Sequence, residues 1–410
     1  MTTTMRVCVL GLGYIGLPTA AVLARAGHTV IGVDVNPAVV ETINRGEIHI
    51  VEPDLEGVVR DAVGSGRLVA TTEVAPADVF LICVPTPFRE SETLPTPDLE
   101  HVLAAGRAVA GVIRAGNLVI LESTSPVGTT DLLRDLLRDE GAPIEEIAIA
   151  YCPERVLPGR ILAELVSNNR IVGGVDETAS LRGREFYRTF VDGEIHATDA
   201  RTAEMTKLVE NSFRDVNIAF ANEVSVLCAR LGIDPWELIA LANRHPRVNV
   251  LQPSTGVGGH CVAVDPWFVV SADPQHATLI RTAREVNLAK TAWVIDQIAT
   301  AADAVRATTG RTPVVALMGL AFKPNVDDLR ESPAVEVATA LSRRAIQVVA
   351  VEPHIDAHPT LRLAAIDDAL EAADIVAFLV RHDAFLSLSS RAGLVLDFCG
   401  VRPNQEVVTG

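Results

Sequence analysis

The chain is short of several things, and each shortage removes a class of function. Aromatic residues are 4% of its 410 residues, too few for the stacking platforms on which bases sit. Positive charge is also scarce: Lys plus Arg total 35 against 52 Asp plus Glu, a net charge of −17 at pH 7. Such a field repels nucleic acid and anionic membrane, so neither is expected as a partner. No run approaches the roughly 20 apolar residues that a bilayer crossing needs. The start, Met1-Thr2-Thr3-Thr4-Met5-Arg6, leads straight into a short strand and glycines. No apolar stretch of about 7–15 residues with a cleavage site follows, so no export signal is expected. The six cysteines, at 8, 83, 152, 228, 261 and 399, show no paired spacing. Reduced thiols and a cytosolic setting are the expectation. There is no short-period repeat and no low-complexity segment.

Apolar material is plentiful, with 49% hydrophobic and 21% charged residues, which suits packed cores rather than a disordered chain. The length predicts two or three domains. Up to about residue 195, short β-branched runs (Arg6–Leu10, Thr29–Val33, Val79–Val84, Leu118–Leu121, Ile147–Ala150) alternate with helical stretches such as Leu17–Arg25, Leu99–Val112 and Thr130–Arg138. That alternation predicts a parallel sheet covered by helices on both faces. Ala200–Leu231 has no glycine or proline and reads as one long helix. Pro235 opens another, and helical composition returns from about 276 to 306. The last hundred residues resume the alternation, with strands at Val314–Met318, Val348–Val351, Ile375–Phe378 and Leu394–Asp397 and helices near 333–343 and 367–372.

Gly11-Leu12-Gly13-Tyr14-Ile15-Gly16 follows the first strand, opens a helix, and precedes a second strand that ends at Asp34. In this context GxGxxG predicts a dinucleotide site. Gly11 would make the tight turn, Gly13 would let backbone approach the pyrophosphate, and Gly16 would let the helix pack close. The helix N-terminus offers N–H groups and positive potential to phosphate. Asp34 suits a ribose 2′-hydroxyl and repels a 2′-phosphate, so NAD is favoured over NADP. Thr86 and Thr124 lie past strand ends, placed to line the cofactor crevice, although helix capping would place the same residue types there. The expected fold class is α/β: two Rossmann-like doubly wound parallel-sheet domains joined by a long central helix and a helical middle region, at 1–195, 196–308 and 309–410.

One cysteine stands out. Cys8, Cys83, Cys228 and Cys399 read as small core residues, and Cys152 in Tyr151-Cys152-Pro153-Glu154-Arg155 is ambiguous. Cys261 lies in Gly256-Val257-Gly258-Gly259-His260-Cys261, where exposed N–H groups and close ligand approach favour a thiolate. Asp265 follows four residues later. His260, Cys261 and Asp265 are metal-ligand types, but adjacent His and Cys side chains rarely converge on one ion, and no metal is expected. Lys207, Asn211 and Arg214 share one face of the long helix. They form either a solvated polar stripe or a cation and an amide aimed at a site. Two further basic clusters, His245 with Arg247 and Lys323 in Gly319-Leu320-Ala321-Phe322-Lys323, stand out in an acidic chain, each either plain surface charge or a ligand contact. The second occupies the place of a second dinucleotide loop whose glycines are reduced to one, and its lysine suits a point-charge contact with phosphate or sugar oxygens.

These stretches together resemble the nucleotide-sugar dehydrogenase family, which includes the UDP-glucose and GDP-mannose dehydrogenases. The resemblance covers essentially the whole chain. It rests on GLGYIGLP at 11–18, STSPVGTT at 123–130, YCPERVLPG at 151–159, EMTKLVENSFRDVNIAFANE at 204–223, GVGGHCVAVDPWF at 256–268 and AFKPNVDDLRESP at 321–333. NRHPRVN at 243–249 and GGHCVAVDPWF at 258–268 are most similar to the branch acting on UDP-N-acetyl-D-mannosamine. The resemblance implies oxidation of a sugar C6 alcohol to a carboxylate with two NAD and one water, and a uronic acid product used in bacterial surface polysaccharides. It implies that Cys261 forms a thiohemiacetal and then a thioester. Lys207 and Asn211 would stabilise the oxyanion. Asp265, through water, or Lys207 would deprotonate the alcohol. Glu154 would activate the hydrolytic water, and Thr124 would help hold it. Arg155, Val156, Lys207, Asn211, Arg214, His245, Arg247, Gly258 and Lys323 fall where the family binds the nucleotide sugar. Tyr14, Ile15, Asp34, Thr86, Thr124 and Arg330 fall where it binds NAD. A homodimer or larger homo-oligomer through the central helix is implied as well.

The chain departs from the glucose-type pattern at His260, Val264 and Pro158, where that type has a serine, a lysine and a second acid. These departures argue against UDP-glucose and GDP-mannose as substrates. The alternatives are a UDP-N-acetylglucosamine 6-dehydrogenase, a two-electron dehydrogenase with no covalent step, and a non-catalytic NAD-binding sensor.

Overall fold

The β-branched runs form the strands of two separate sheets. The computed structural model describes residues 4–89, 94–344, 346–388 and 393–402. The chain divides into two units: one runs to Val209 and adds Trp267–Ala272, the other takes Glu210–Pro266 and the chain from Asp273.

The first unit is built on β1 (Arg6–Leu10), β2 (Thr29–Val33), β3 (Leu68–Thr71), β4 (Val79–Ile82), β7 (Leu118–Leu121), β8 (Ala148–Tyr151), β9 (Arg170–Gly174) and β10 (Ile195–Asp199). A small antiparallel pair, β5 (Phe88–Arg89) and β6 (Thr96–Pro97), stands apart. The main sheet has the order β10-β9-β8-β7-β4-β1-β2-β3. Every pairing in it is parallel except β8 with β9. Alternate residues feed two cores, as a period of two requires. Val7 and Val9 of β1 pack with Leu17, Leu23 and Val59 on one face. Cys8 and Leu10 pack with Val102, Val109 and Leu133 on the other. Strand order reverses between β1 and β4, and such switch points are where open α/β sheets bind ligands.

The second unit carries a parallel sheet of order β12-β11-β13-β14, from β11 (Val314–Met318), β12 (Gln347–Val351), β13 (Ile375–Phe378) and β14 (Leu394–Asp397). The helix Pro333–Ser342 and the end of the helix Thr278–Thr309 cover one face, and Phe385 and Ala369 help cover the other. The long helix spans Ala200–Leu231. From Asp215 onward it meets the helix Thr278–Thr309 through a buried polar seam. Arg284 donates to Asp215 at 2.7 Å, Asn287 to Asp215 at 2.8 Å, Asn222 to Asn287 at 2.9 Å and Lys290 to Ser225 at 2.7 Å. Burial pushes the Lys290 ammonium down to about 7.

The α/β class expected from the alternation is the observed one. Boundaries moved by a residue or two: β4 stops at Ile82 rather than Val84, ahead of Pro85 and Pro87, which have no N–H for a ladder. Strands β3, β9 and β10 and the helix Asp265–Ala272 are additional to the elements read from the sequence. Among the described residues, no helix is long and apolar enough to cross a membrane.

Candidate functional site

In the first unit, Gly11 closes the turn after β1 with φ at +88°, and its N–H donates to the Val33 carbonyl at 2.8 Å. A Cβ on Gly16 would stand 1.8 Å from the Gly11 carbonyl oxygen, so the helix Gly16–Arg25 closes on the turn only because that residue has none. A Cβ on Gly13 would meet nothing within 4 Å. That open side is where a pyrophosphate would approach. The helix begins without a side-chain cap, which leaves its positive end available to an anion. Asp34 accepts from Leu12 N–H at 3.0 Å and from Asn36 N–H at 2.9 Å, one donor to each oxygen. Each oxygen retains acceptor capacity for a ribose hydroxyl. Tyr14 and Ile15 are half-buried beside Gly13. These features fit a dinucleotide.

Thr86, past β4, donates from Oγ1 to the Thr124 carbonyl at 2.6 Å, which ties together the loops after β4 and β7. The Thr124 loop is held further by Glu204, buried at the start of the long helix. Glu204 accepts from Gly128 N–H at 2.6 Å and from Thr130 N–H at 2.7 Å, capping the helix Thr129–Asp139. After β8 comes the loop with Glu154, Arg155 and Val156. Glu52 accepts from Gly159 and Ile161 N–H, each at 2.8 Å, and fixes the far end of this loop. Glu154 is buried. Its Oε2 pairs with Arg170 Nη1 at 2.5 Å and its Oε1 accepts from Arg155 N–H at 2.6 Å. Arg155 donates to the Asn169 carbonyl at 3.2 Å. Cys83 is no plain core residue: its thiol donates to the buried Glu122 at 3.1 Å, and Tyr187 donates to the other Glu122 oxygen at 2.5 Å. Burial pushes the Glu122 carboxyl up and the Cys152 thiol up to about 12.

Along the long helix, Lys207 is buried, Asn211 half-buried and Arg214 exposed. In the second unit Asn211 Nδ2 donates to Asp265 Oδ2 at 2.5 Å. One amide hydrogen is thereby committed and the other remains for a substrate oxygen. Asp265, buried at the first position of the helix Asp265–Ala272, sends its N–H back to the Cys261 carbonyl at 2.8 Å. Cys261, Asp265 and Asn211 therefore form one connected group. The glycines before Cys261 allow close packing. A Cβ on Gly258 would stand 2.3 Å from the Glu331 carbonyl oxygen, and Gly259 N–H donates to the Arg330 carbonyl at 3.0 Å. The loop leading to the cysteine is thus clasped by residues 330–333.

Lys323 is half-buried, with its ammonium 5.5 Å from the Phe322 ring centre. Arg330 pairs with Asp328 at 2.6 Å. His245 and Arg247 are exposed on the loop after the helix Pro235–Ala242, with Arg247 N–H donating to His245 Nδ1 at 3.3 Å. Among the described residues one cluster offers three metal-ligand types, Glu352, His354 and His382. His382 Nδ1 already accepts from Asn325 N–H at 3.0 Å and Nε2 meets Glu352 at 3.1 Å, so neither ring nitrogen is left for an ion. Sequence reasoning passed over Arg170, Glu122, Tyr187, Glu204 and Glu352. The available signal was weak: Arg170, Glu122 and Glu352 are charged residues at the ends of otherwise apolar strands, while Tyr187 and Glu204 lie on helices with nothing local to mark them.

Three family domains match in order: the NAD binding domain of the UDP-glucose/GDP-mannose dehydrogenase family over residues 5–191, its central domain over 201–289 and its UDP binding domain over 316–402. An NDP-N-acetyl-D-galactosaminuronic acid dehydrogenase of Ralstonia nicotianae is 52% identical, covering 96% of each chain. A UDP-N-acetyl-D-mannosamine dehydrogenase of Escherichia coli is 53% identical, covering 92% of this chain and 94% of the other. Among solved structures, a UDP-D-ManNAc dehydrogenase of Pyrococcus horikoshii superposes with a TM-score of 0.89 at 38% identity, over 98% of this chain and 97% of the other.

Proposed function

The chain belongs to the UDP-glucose/GDP-mannose dehydrogenase family, and from that premise we propose that it oxidises the C6 alcohol of UDP-N-acetyl-D-mannosamine to the carboxylate with two NAD and one water. That it is an NAD-dependent nucleotide-sugar dehydrogenase follows from the family and its curated members. Bound NAD supplies hydride acceptance. Gly11, Gly13, Gly16 and Asp34 hold it, with Tyr14, Ile15, Thr86, Thr124 and Arg330 as further contacts. Arg155, Val156, Lys207, Asn211, Arg214, His245, Arg247, Gly258 and Lys323 bind the nucleotide sugar. Asp265, through water, or Lys207 takes the alcohol proton. Cys261 adds to the C6 aldehyde, and oxidation of the thiohemiacetal leaves a thioester. Lys207 and the uncommitted N–H of Asn211 stabilise the oxyanion. Glu154 and Thr124 manage the water that releases the uronate.

The observation that carries this reading is the bonded pair Asn211–Asp265, joined through the Asp265 N–H to the Cys261 backbone. It ties an amide and a carboxylate to the backbone of the residue that carries the thiol, a linkage that a two-electron dehydrogenase or a sensor has no need of. A second reading follows from the Ralstonia relative's name, which favours a galacto-configured N-acetyl sugar. The manno and galacto sugars differ at C2 and C4, and such differences are discriminated by a few kcal/mol of contacts. The test is NADH yield with UDP-N-acetylmannosamine, UDP-N-acetylglucosamine and UDP-N-acetylgalactosamine. Two NADH per sugar, fastest with the manno epimer, is expected. One NADH per sugar, or an active Cys261→Ala variant, overturns the covalent route. Faster turnover of another epimer changes the substrate.

The enzyme works as a homodimer in the cytosol. Phe213, Phe220 and Leu227 are seven residues apart on the long helix and are 69%, 58% and 49% exposed. A stripe with that period is the seam along which a second copy's helix packs. Light scattering of wild type and Phe220→Asp checks it: a wild-type monomer sinks the assembly.

A further inference from the structure

We propose that Arg170 is a positioning residue for thioester hydrolysis: it locks Glu154 as an anion in one orientation for the water that this step consumes. The proposal rests on the reading of Glu154 given above and deepens it.

Arg170 opens β9, and its side chain is 2% exposed against 5% for Glu154. Nη1 reaches Glu154 Oε2 at 2.5 Å, and Nη2 donates to the Leu165 carbonyl at 3.1 Å. Its Nε is buried and makes no hydrogen bond among the described residues. A buried guanidinium with an unmet donor is a poor choice for stability, since well-packed apolar residues usually do as well or better. The geometry points instead to a use for the charge. The guanidinium lies 5.4 Å from the centre of the Tyr187 ring. Tyr187 and Cys83 satisfy the neighbouring Glu122 with neutral donors, so Arg170 is reserved for Glu154. On Glu154, Arg155 N–H and Arg170 occupy one site on each oxygen. Each oxygen keeps one acceptor site for a water.

The ionisable groups facing Glu154 come from several elements: Arg170 from β9, Glu122 past β7, Cys83 past β4, Cys152 past β8, Tyr187 from the helix Glu177–Tyr187, and Arg155 next in the chain. Burial pushes the Glu122 carboxyl and the Cys83 and Cys152 thiols up, and the ion pair of the cluster is the one between Arg170 and Glu154. In the step itself water attacks the C6 carbonyl. The C–O bond forms, the C–S bond to Cys261 breaks, and Glu154 passes the water's proton to the departing sulfur. No group is oxidised or reduced.

Removing Arg170 leaves a buried carboxylate without its cation, which then protonates at higher pH. Single-turnover NADH release, intact-mass detection of the Cys261 adduct and the pH profile of product release, with UDP-N-acetylmannosamine, test this. Arg170→Met should release NADH normally and accumulate the acyl adduct. Its product release should slow by about tenfold or more at pH 7, with the acid limb moved up by about one pH unit or more. Arg170→Lys should keep the wild-type limb. Glu154→Gln should stall with the adduct at every pH. If Glu154→Gln releases product at the wild-type rate, the reading of Glu154 fails and this proposal fails with it. If Glu154→Gln stalls while Arg170→Met keeps the wild-type profile, Glu154 stands and Arg170 is overturned. Loss of NADH release in both Arg170→Met and Arg170→Lys also overturns it, since Arg170 would then serve the fold at large.

Discussion

The chain makes the same strand–turn–acid joint twice and uses it for two purposes. After β1, Gly11 turns with φ at +88° and donates to Val33; after β11, Gly319 turns with φ at +96° and donates to Val351, both at 2.8 Å. An acid follows the neighbouring strand each time. Asp34 accepts from Leu12 N–H at 3.0 Å, and Glu352 accepts from Leu320 N–H at 2.7 Å and Ala321 N–H at 2.9 Å. There the likeness ends. Asp34 is half-exposed with capacity to spare, whereas Glu352 is buried and also takes His382 and His354 N–H. The first turn runs directly into the helix Gly16–Arg25. The second is followed by residues 321–332 before the helix Pro333–Ser342 begins. A strand, a glycine turn and an acid do not by themselves make a dinucleotide site. The acid must be left unspent and the helix must start at the turn.

The largest effect that sharpens this contrast is on folding. Gly16→Ala drives a methyl into the Gly11 carbonyl and should cost about 3 kcal/mol or more. The residue five past the other turn glycine, Pro324, is exposed, and Pro324→Ala should cost less than about 1 kcal/mol. Urea unfolding of the two variants decides. Equal losses would mean that the second turn is closed by a helix as tightly as the first.

Exchanging the roles of the acids comes next. Glu352→Gln removes a charged acceptor from a buried group of donors and should cost about 2 kcal/mol of stability, with the KM for NAD little changed. Asp34→Asn should do the reverse, raising that KM about tenfold with under about 1 kcal/mol lost. Against burial, which raises it, the His382 contact and the two amides hold the Glu352 carboxyl below its usual 4.5. A depressed carboxyl stabilises the fold above its unfolded value, and that contribution fades as pH falls through the folded one. Wild type should therefore lose stability from about pH 4.5 downward, and Glu352→Gln should show a shallower acid slope. Parallel slopes in the two proteins would remove Glu352 from the account.

What the sequence reveals of this is what lies close along the chain. The turn at Gly11, the acid at Asp34 and the helix Ala200–Leu231 are each written in a short local pattern, and Lys207, Asn211 and Arg214 follow from helical period alone. The partners are not local. Asp265 meets Asn211 from 54 positions away and Arg170 meets Glu154 across the antiparallel step from β8 to β9. Nothing in a single chain's pattern distinguishes a strand-opening arginine on the surface from one buried against a carboxylate. Glu352 was missed for the same reason: His382, 30 positions on, uses its charge.

The smallest expected change in folding is also the most selective. Two residues past each turn glycine the chain has Gly13 in one joint and Ala321 in the other. A Cβ at Gly13 would stand in open space, while Ala321 is 1% exposed, its methyl already packed inside the second unit. Gly13→Ala should leave stability within about 0.5 kcal/mol of wild type, because nothing in the protein is displaced. If a pyrophosphate lies against that backbone, the methyl displaces it instead, and NAD binding should weaken about tenfold or more. Ala321→Gly should show the opposite pairing, a cost of about 1 kcal/mol with NAD affinity unchanged. Titration calorimetry with NAD and denaturant unfolding on the two variants read both quantities. Full NAD affinity in Gly13→Ala would move the cofactor phosphates away from the first turn.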